Sequence, residues 1–159
     1  LHMITFGAIA INNAIRKVEQ LAKDEMVKRG KVATGRTMST LSTFTVQGSD
    51  YLASYLEGED QWKFVGNGRG PGGMPPIGPI QAWIDAKGLP LSAWGVAKKI
   101  AKEGSKDYRN NAPNVFLSAF DTFLDGAGVK ELEEGTADEF EETLASQAIK
   151  IFKSNGRPN

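Results

Sequence analysis

The sequence predicts an α+β fold in a single domain spanning residues 1–159, with a long N-terminal helix, a small antiparallel sheet, several C-terminal helices and one extended Gly/Pro-rich loop. Apolar residues recur every three or four positions near both ends of the chain, whereas they alternate with polar residues over residues 41–47. Residues 66–78 concentrate glycine and proline, which suit neither a helix interior nor a central strand. A chain of this size can bury a core without a disulfide or a structural metal.

The first helix is predicted from about residue 9 to residue 28, because its apolar positions follow the spacing of one helix face. These positions are Ile11, Ile15, Val18, Ala22 and Met26. Residues 1–3 look like a cloning remnant, and without them the chain holds no histidine for acid-base or nucleophilic catalysis. At the other end, residues 154–159 are expected to fray.

A small antiparallel sheet is predicted next. Residues 41–47 are predicted to form a strand with one solvent-exposed face. Residues 51–57 fit either a second strand or a turn of helix. Residues 61–65 are a further strand candidate, because Trp62 and Phe64 would lie on the same side.

The extended loop of residues 66–78 is expected to be an exposed arm that leads into a helix beginning at Pro79. Trp83 lies on the apolar face of that helix and is predicted to anchor the arm to the core. Residues 68–73 satisfy the G-x-G-x-x-G string, but Pro71 interrupts it and no helix follows directly, which argues against a dinucleotide site.

Three further helices are predicted in the C-terminal half. One follows a cap at Ser92, and one covers residues 114–124, with residues 106–113 as a loop between them. The last is predicted to begin at a capping box formed by Thr136 and Glu139.

The amino-acid composition limits the catalytic and metal-binding chemistry that the chain can support. Cysteine is absent, so thiol catalysis, disulfides and cysteine-ligated metals are excluded. The carboxylates match no calcium loop, and we expect neither enzymatic activity nor a cofactor; an enzyme with an unrecognised site is the weakest alternative. No apolar run approaches the length of a membrane span and nothing resembles a signal peptide, so we expect a soluble intracellular protein without membrane partners.

The net charge is zero, but charge is distributed in blocks. Residues 1–47 and 61–112 carry a net positive charge, whereas residues 48–60 and 113–159 carry a net negative charge. The blocks either neutralise one another within one molecule, or basic and acidic faces meet head-to-tail between copies.

Several short motifs occur in a suggestive order: Thr34-Gly35-Arg36, Tyr51-x-x-x-Tyr55-x-Glu57-Gly58, Arg69-x-Pro71-Gly72-x-x-Pro75-Pro76 leading into Trp83-Ile84-x-x-Lys87-Gly88-Leu89, and Phe116-Leu117-x-Ala119. With these motifs the chain resembles the head-tail connector and tail-completion proteins of long-tailed bacteriophages and prophages. It departs from their pattern where Glu57-Gly58-Glu59 replaces a Glu-aromatic-Gly-Thr signature. The position in the neck, next to the portal or nearer the tail tube, therefore stays open.

The resemblance implies a non-enzymatic virion-assembly protein. Such a protein forms a homo-oligomeric ring at the virion neck, is assembled in the host bacterial cytoplasm, and contacts portal or adaptor proteins and tail-tube or tail-terminator proteins. DNA would pass through the lumen without sequence-specific binding. The exposed arm is the predicted subunit contact, comprising Gly68, Arg69, Gly70, Pro71, Gly72, Gly73, Met74, Pro75 and Pro76.

The alternative is a nucleic-acid-binding accessory module. It would use Arg69 together with the outer face of the helix after Ser92, which carries Lys98, Lys99 and Lys102.

Overall fold

The computed structural model describes residues 7–32, 35–48 and 51–155, with side chains described up to residue 146. The described chain is mixed and mostly helical. Its elements are, in order, α1 (Ala8–Lys28), α2 (Arg36–Ser39), β1 (Ser42–Gln47), β2 (Leu52–Glu57), α3 (Trp62–Asn67), α4 (Ile77–Lys87), α5 (Ala93–Glu103), α6 (Lys106–Arg109), α7 (Val115–Asp125) and α8 (Gly128–Asn155). The predicted cloning remnant and residues 156–159 of the predicted frayed end lie outside the described residues.

Helix α1 is the centre of the fold, because α7, α8 and the two strands all pack against it. Val18, Ala22 and Met26, three members of the predicted apolar stripe, are buried there. The core they share is completed by Leu41, Trp62, Val115, Ala119 and Phe123.

The sheet is a hairpin of β1 and β2, which pair antiparallel with Phe44 opposite Tyr55. Residues 51–57, for which a strand and a helical turn were both open, therefore form a strand. Leu56 points towards the core. On the other face, the rings of Phe44 and Tyr55 stack with centroids 5.1 Å apart and stay exposed.

The predicted strand at residues 61–65 is wrong, because this segment is helix α3. Trp62 and Gly66 are buried and Val65 is half-buried, and this spacing of three and four residues is that of a helix face. The Trp62 ring packs against Phe116 at 5.3 Å between centroids, and its Nε1 donates to Thr40 Oγ1 at 3.1 Å. Core packing of one large aromatic residue thus overrides the local alternation.

Helices at both ends shorten the predicted loop of residues 66–78 to residues 68–76. Helix α3 continues to Asn67, and α4 begins at Ile77 rather than at Pro79. Pro79 fits inside the first turn of α4 because the first four N–H groups of a helix have no partner within it. Similarly, residues 106–113, predicted as a loop, contain the short helix α6.

The last helix does not begin at the predicted capping box. Helix α8 starts at Gly128, and Thr136 lies inside it, donating from Oγ1 to the Leu132 carbonyl at 2.7 Å. The Glu139 carboxylate caps a different helix, since it accepts from the backbone N–H groups of Gly7 and Ala10 at the start of α1. Helix α8 also includes Ser154 and Asn155, which were expected to fray.

The segment after α1 ties the two halves of the chain together. Lys31 donates to the Val65 carbonyl at 2.8 Å and pairs with Asp107 at 2.8 Å. Arg29 bonds Ser118 Oγ at 2.9 Å, and Lys87 reaches the Gly30 carbonyl at 2.6 Å. These contacts fix α4, α6 and α7 relative to the end of α1.

Candidate functional site

The loop of residues 68–76 is fastened to the chain that follows α5. The Arg69 N–H donates to Ser105 Oγ at 2.9 Å, and the Ser105 N–H donates back to the Arg69 carbonyl at 2.7 Å. Further along, the Gly72 N–H donates to the Ala101 carbonyl at 2.8 Å. The first half of the predicted arm is therefore held by three hydrogen bonds, two of them between backbone groups.

The first loop residue needs to be glycine. Gly68 has a φ of 76°, and a Cβ atom there would lie 2.5 Å from the Tyr108 backbone nitrogen. Both the left-handed conformation and the close approach exclude a larger residue.

The Arg69 side chain folds back onto its own loop. Its Nη2 donates to the Gly73 carbonyl at 2.9 Å, and its guanidinium lies 5.2 Å from the Phe64 ring centroid. The residue is half-buried. Arg69, predicted as a contact residue, thus has defined contacts within the chain.

The members of the predicted contact surface differ in exposure. Gly68, Arg69 and Gly70 are half-buried, and Pro75 is buried. The exposed members are Pro71, Gly72, Gly73, Met74 and Pro76. The part of the loop that is open to another molecule is accordingly its tip, at residues 71–74.

Helix α4 is anchored by Ile84 rather than by Trp83. Ile84 is 3% exposed, whereas the predicted anchor Trp83 is 36% exposed. Trp83 instead forms a wall shared by two grooves on either side of α4. The sequence placed both residues on one apolar face, and their adjacent positions could not show which of them the core would cover.

The larger groove, of about 680 Å³, lies between α4 and the segment around α2. Met26, Val32 and Met38 give it an apolar lining, and Gln61 also borders it.

The smaller groove, of about 430 Å³, lies between α4, α5 and α6, and we call it the α4–α5 groove. Ile80, Trp83, Val96 and Ile100 line it with apolar surface. Its basic lining residues are Lys99, Lys106 and Arg109. Glu103 pairs with Arg109 at 3.3 Å, so the basic residues outnumber this carboxylate around the groove.

Helix α7 is apolar on two opposite faces. Val115, Ala119 and Phe123 are buried, as expected for a core helix. The apolar pattern of the sequence in this helix runs through Phe116, Leu117, Phe120, Phe123 and Leu124. Of these, Leu117 is exposed to 66%, Phe120 to 45% and Leu124 to 52%, whereas the buried Val115 and Ala119 are not part of that pattern. The position around the helix axis distinguishes the exposed residues from the buried ones, because Leu117, Phe120 and Leu124 lie on a different side of α7 from Val115, Ala119 and Phe123.

The lysines of the nucleic-acid alternative lie on the exposed side of α5. Lys98 Nζ is 4.9 Å from the ring centroid of Trp94, which is itself exposed. Trp94 is thus an exposed aromatic residue beside this lysine.

Within the described ranges, no group of three or more acidic or histidine side chains is placed to hold a metal ion. Of the helices that the structure describes, none is long and apolar enough to span a bilayer. Comparison with protein-family models, with curated proteins and with solved structures finds no match to this chain.

Proposed function

We propose that this chain is a structural virion-assembly protein, a head-tail connector or tail-completion adaptor that forms a ring at the neck of a long-tailed phage or prophage. The observation that carries the proposal is the exposure of large apolar side chains on several faces. The outer face of α7 and the outward face of the hairpin, with Phe44 and Tyr55, are the clearest examples. Contiguous apolar patches on a soluble protein mark interaction sites, so other copies or partners are expected to cover them.

The charge distribution supports the same proposal. The basic middle of the chain and its acidic C-terminal part suit contacts between different surfaces of neighbouring copies, as a ring requires. The loop tip at residues 71–74 is a further proposed contact. In this role the protein binds portal or adaptor proteins on one side and tail-tube or tail-terminator proteins on the other, and it needs neither a catalytic centre nor a cofactor.

Static light scattering across a series of protein and salt concentrations tests the association of copies. We expect the mass to rise with protein concentration, and opposite-charge contacts to weaken as salt screens them. Because an adaptor can assemble on its partner alone, each sample is repeated with the portal and tail-tube proteins of the same phage. A monomer throughout, with no binding to either partner, would contradict the proposal.

The nucleic-acid alternative has one observation in its favour: Lys98, Lys99 and Lys102 are exposed on α5, and Lys98 Nζ lies 4.9 Å from the ring centroid of the exposed Trp94. Fluorescence anisotropy with single-stranded and duplex DNA tests it. Affinity that falls steeply with salt and is lost in the triple variant Lys98→Gln, Lys99→Gln, Lys102→Gln would favour this alternative. Weak binding that the triple variant leaves unchanged would exclude it.

A further inference from the structure

The outer face of α7 has the form of a docking helix. Leu117, Phe120 and Leu124 follow the i, i+3, i+7 spacing by which an amphipathic helix inserts into a groove. All three are exposed, Leu117 to 66%, Phe120 to 45% and Leu124 to 52%. Asp121 and Asp125 lie along one side of this stripe, so the surface presents apolar side chains with negative charge beside them.

The α4–α5 groove has the complementary properties. Its apolar lining residues include Ile80, Trp83 and Ile100, and its basic lining residues are Lys99, Lys106 and Arg109. A volume of about 430 Å³ is enough for two or three large side chains but too small for a whole helix, which would lie across its mouth.

We propose that the α4–α5 groove of one copy binds the Leu117, Phe120 and Leu124 stripe of α7 in the next copy. Asp121 and Asp125 of the incoming helix then face the basic residues of the groove. This inference rests on the proposed ring function and identifies one of its contacts. Charge complementarity favours this occupant, because the groove is basic and the exposed stripe is flanked by acids.

The two surfaces belong to different elements of the same chain, so the contact is heterologous. A heterologous contact leaves one free surface of each kind after every addition, and it therefore produces either a closed ring or an open filament. A two-fold dimer satisfies both surfaces only if two copies exchange groove and stripe reciprocally, and association that stops at two unmodified copies would contradict a ring.

A complementation experiment with two full-length variants tests the contact. The first variant, Leu117→Glu with Phe120→Glu, loses the α7 stripe but keeps the groove. The second, Lys99→Glu with Arg109→Glu, keeps the stripe but reverses charge at the groove. We expect each variant alone to be monomeric by size-exclusion chromatography with light scattering, and an equimolar mixture to form a heterodimer and no larger species.

Circular dichroism melts test whether both variants fold. We expect them to fold, because all four positions are exposed. Leu144→Glu, at an exposed leucine on α8, is the matched control and should associate as the unmodified chain does. If each variant forms rings as the unmodified chain does, the proposed contact between the α4–α5 groove and α7 is refuted, whereas the proposed ring function is not. If the mixture stays monomeric, the contact is likewise overturned, whereas binding to the portal or tail-tube proteins still tests the ring function separately.

A small anionic amphiphile is the other occupant that an apolar groove with basic residues could take. Decanoate is the probe, followed by the fluorescence of the tryptophans. Saturable decanoate binding that Lys99→Glu with Arg109→Glu abolishes, without any effect of decanoate on association, would show that the groove is a ligand site and would overturn the proposal.

Discussion

Glu139 on α8 caps the start of α1, with its Oε1 accepting a hydrogen bond of 2.6 Å from the Ala10 N–H. The second carboxylate oxygen accepts from the Gly7 N–H at 3.0 Å and the Ile9 N–H at 3.3 Å. Three N–H groups at the start of a helix thus share one carboxylate, which the helix dipole also favours. One turn earlier on α8, Gly135 allows close approach, because a Cβ atom there would lie 3.2 Å from Ala10 Cβ.

Replacing this cap should destabilise the protein. For Glu139→Ala we expect a loss of about 1–2 kcal/mol in the free energy of unfolding, which is the usual value of a lost N-terminal cap. Urea denaturation followed by circular dichroism measures it. Glu142→Ala, at an exposed position on the same helix, is the control and should change stability by less than about 0.5 kcal/mol. Equal losses for both would show that Glu139 contributes only as a surface residue.

The loop glycines should respond differently to alanine. Gly68→Ala introduces a Cβ atom against the Tyr108 backbone at a φ of 76°, so we expect a loss of at least about 1 kcal/mol. A Cβ atom at Gly73 meets nothing within 4 Å, so Gly73→Ala should be neutral or slightly stabilising. Thermal melts of the two variants compare them directly. A neutral Gly68→Ala would mean that the start of the loop is not held against α6.

Alanine substitutions at the neighbouring residues Trp83 and Ile84 on α4 should have different effects. Ile84→Ala removes a buried side chain and should cost about 2–4 kcal/mol. Trp83→Ala should cost less, because Trp83 is partly exposed as a groove wall, but it should weaken association between copies. Urea denaturation and mass photometry of both variants distinguish these effects. A larger loss of stability for Trp83→Ala than for Ile84→Ala would show that Trp83 is the anchor of α4.

The pH dependence of stability should carry a contribution from Glu25. Its hydrogen bond with Arg29, at 2.7 Å, lowers the pKa of this carboxyl below the ordinary value of 4.5. A carboxyl whose pKa is lowered in the folded state stabilises the protein above the unfolded-state pKa, and this contribution is lost as the pH falls through the folded-state pKa.

We therefore expect Glu25→Gln to be less stable than the unmodified chain at neutral pH by about 0.5 kcal/mol, the scale of a helix ion pair. The difference should shrink when the pH falls below 4.5. Urea denaturation at several pH values measures it. A difference that stays constant over this range would show that Arg29 does not hold Glu25 in its charged form.

Helix α1 is predicted well, because its three-to-four pattern matches the face that is buried in the core. The first strand is predicted by its alternation although Phe44 and Val46 stay exposed, whereas the sequence leaves residues 51–57 open between a strand and a helical turn. Helix α3 and the start of α8 could not be assigned in the same way. Trp62 lies in a helix and packs against Phe116, which is far along the chain. Glu139 does not form the expected capping box and instead caps the N-terminus of α1.

The candidate surfaces were harder to predict, since they depend on which apolar residues the core leaves uncovered. Leu117 and Phe123 are both large apolar residues of one predicted helix, yet only Phe123 is buried. It likewise presents Arg69 as a charged residue in an open arm, whereas the contacts with Gly73 and Phe64 occupy its side chain. Glycine and proline content predicted an extended loop over residues 66–78, whereas the segment between α3 and α4 is residues 68–76, and its hydrogen bonds to Ser105 were not predicted.

Electron microscopy of the full chain mixed with the portal and tail-tube proteins of the same phage tests the central claim most directly. Ring-shaped density added to one end of the portal or of the tail tube, and lost in the Leu117→Glu, Phe120→Glu variant, is the result that we predict. Portal and tail-tube particles that look the same with and without the protein, at concentrations where light scattering also finds only monomer, would contradict a role in neck assembly.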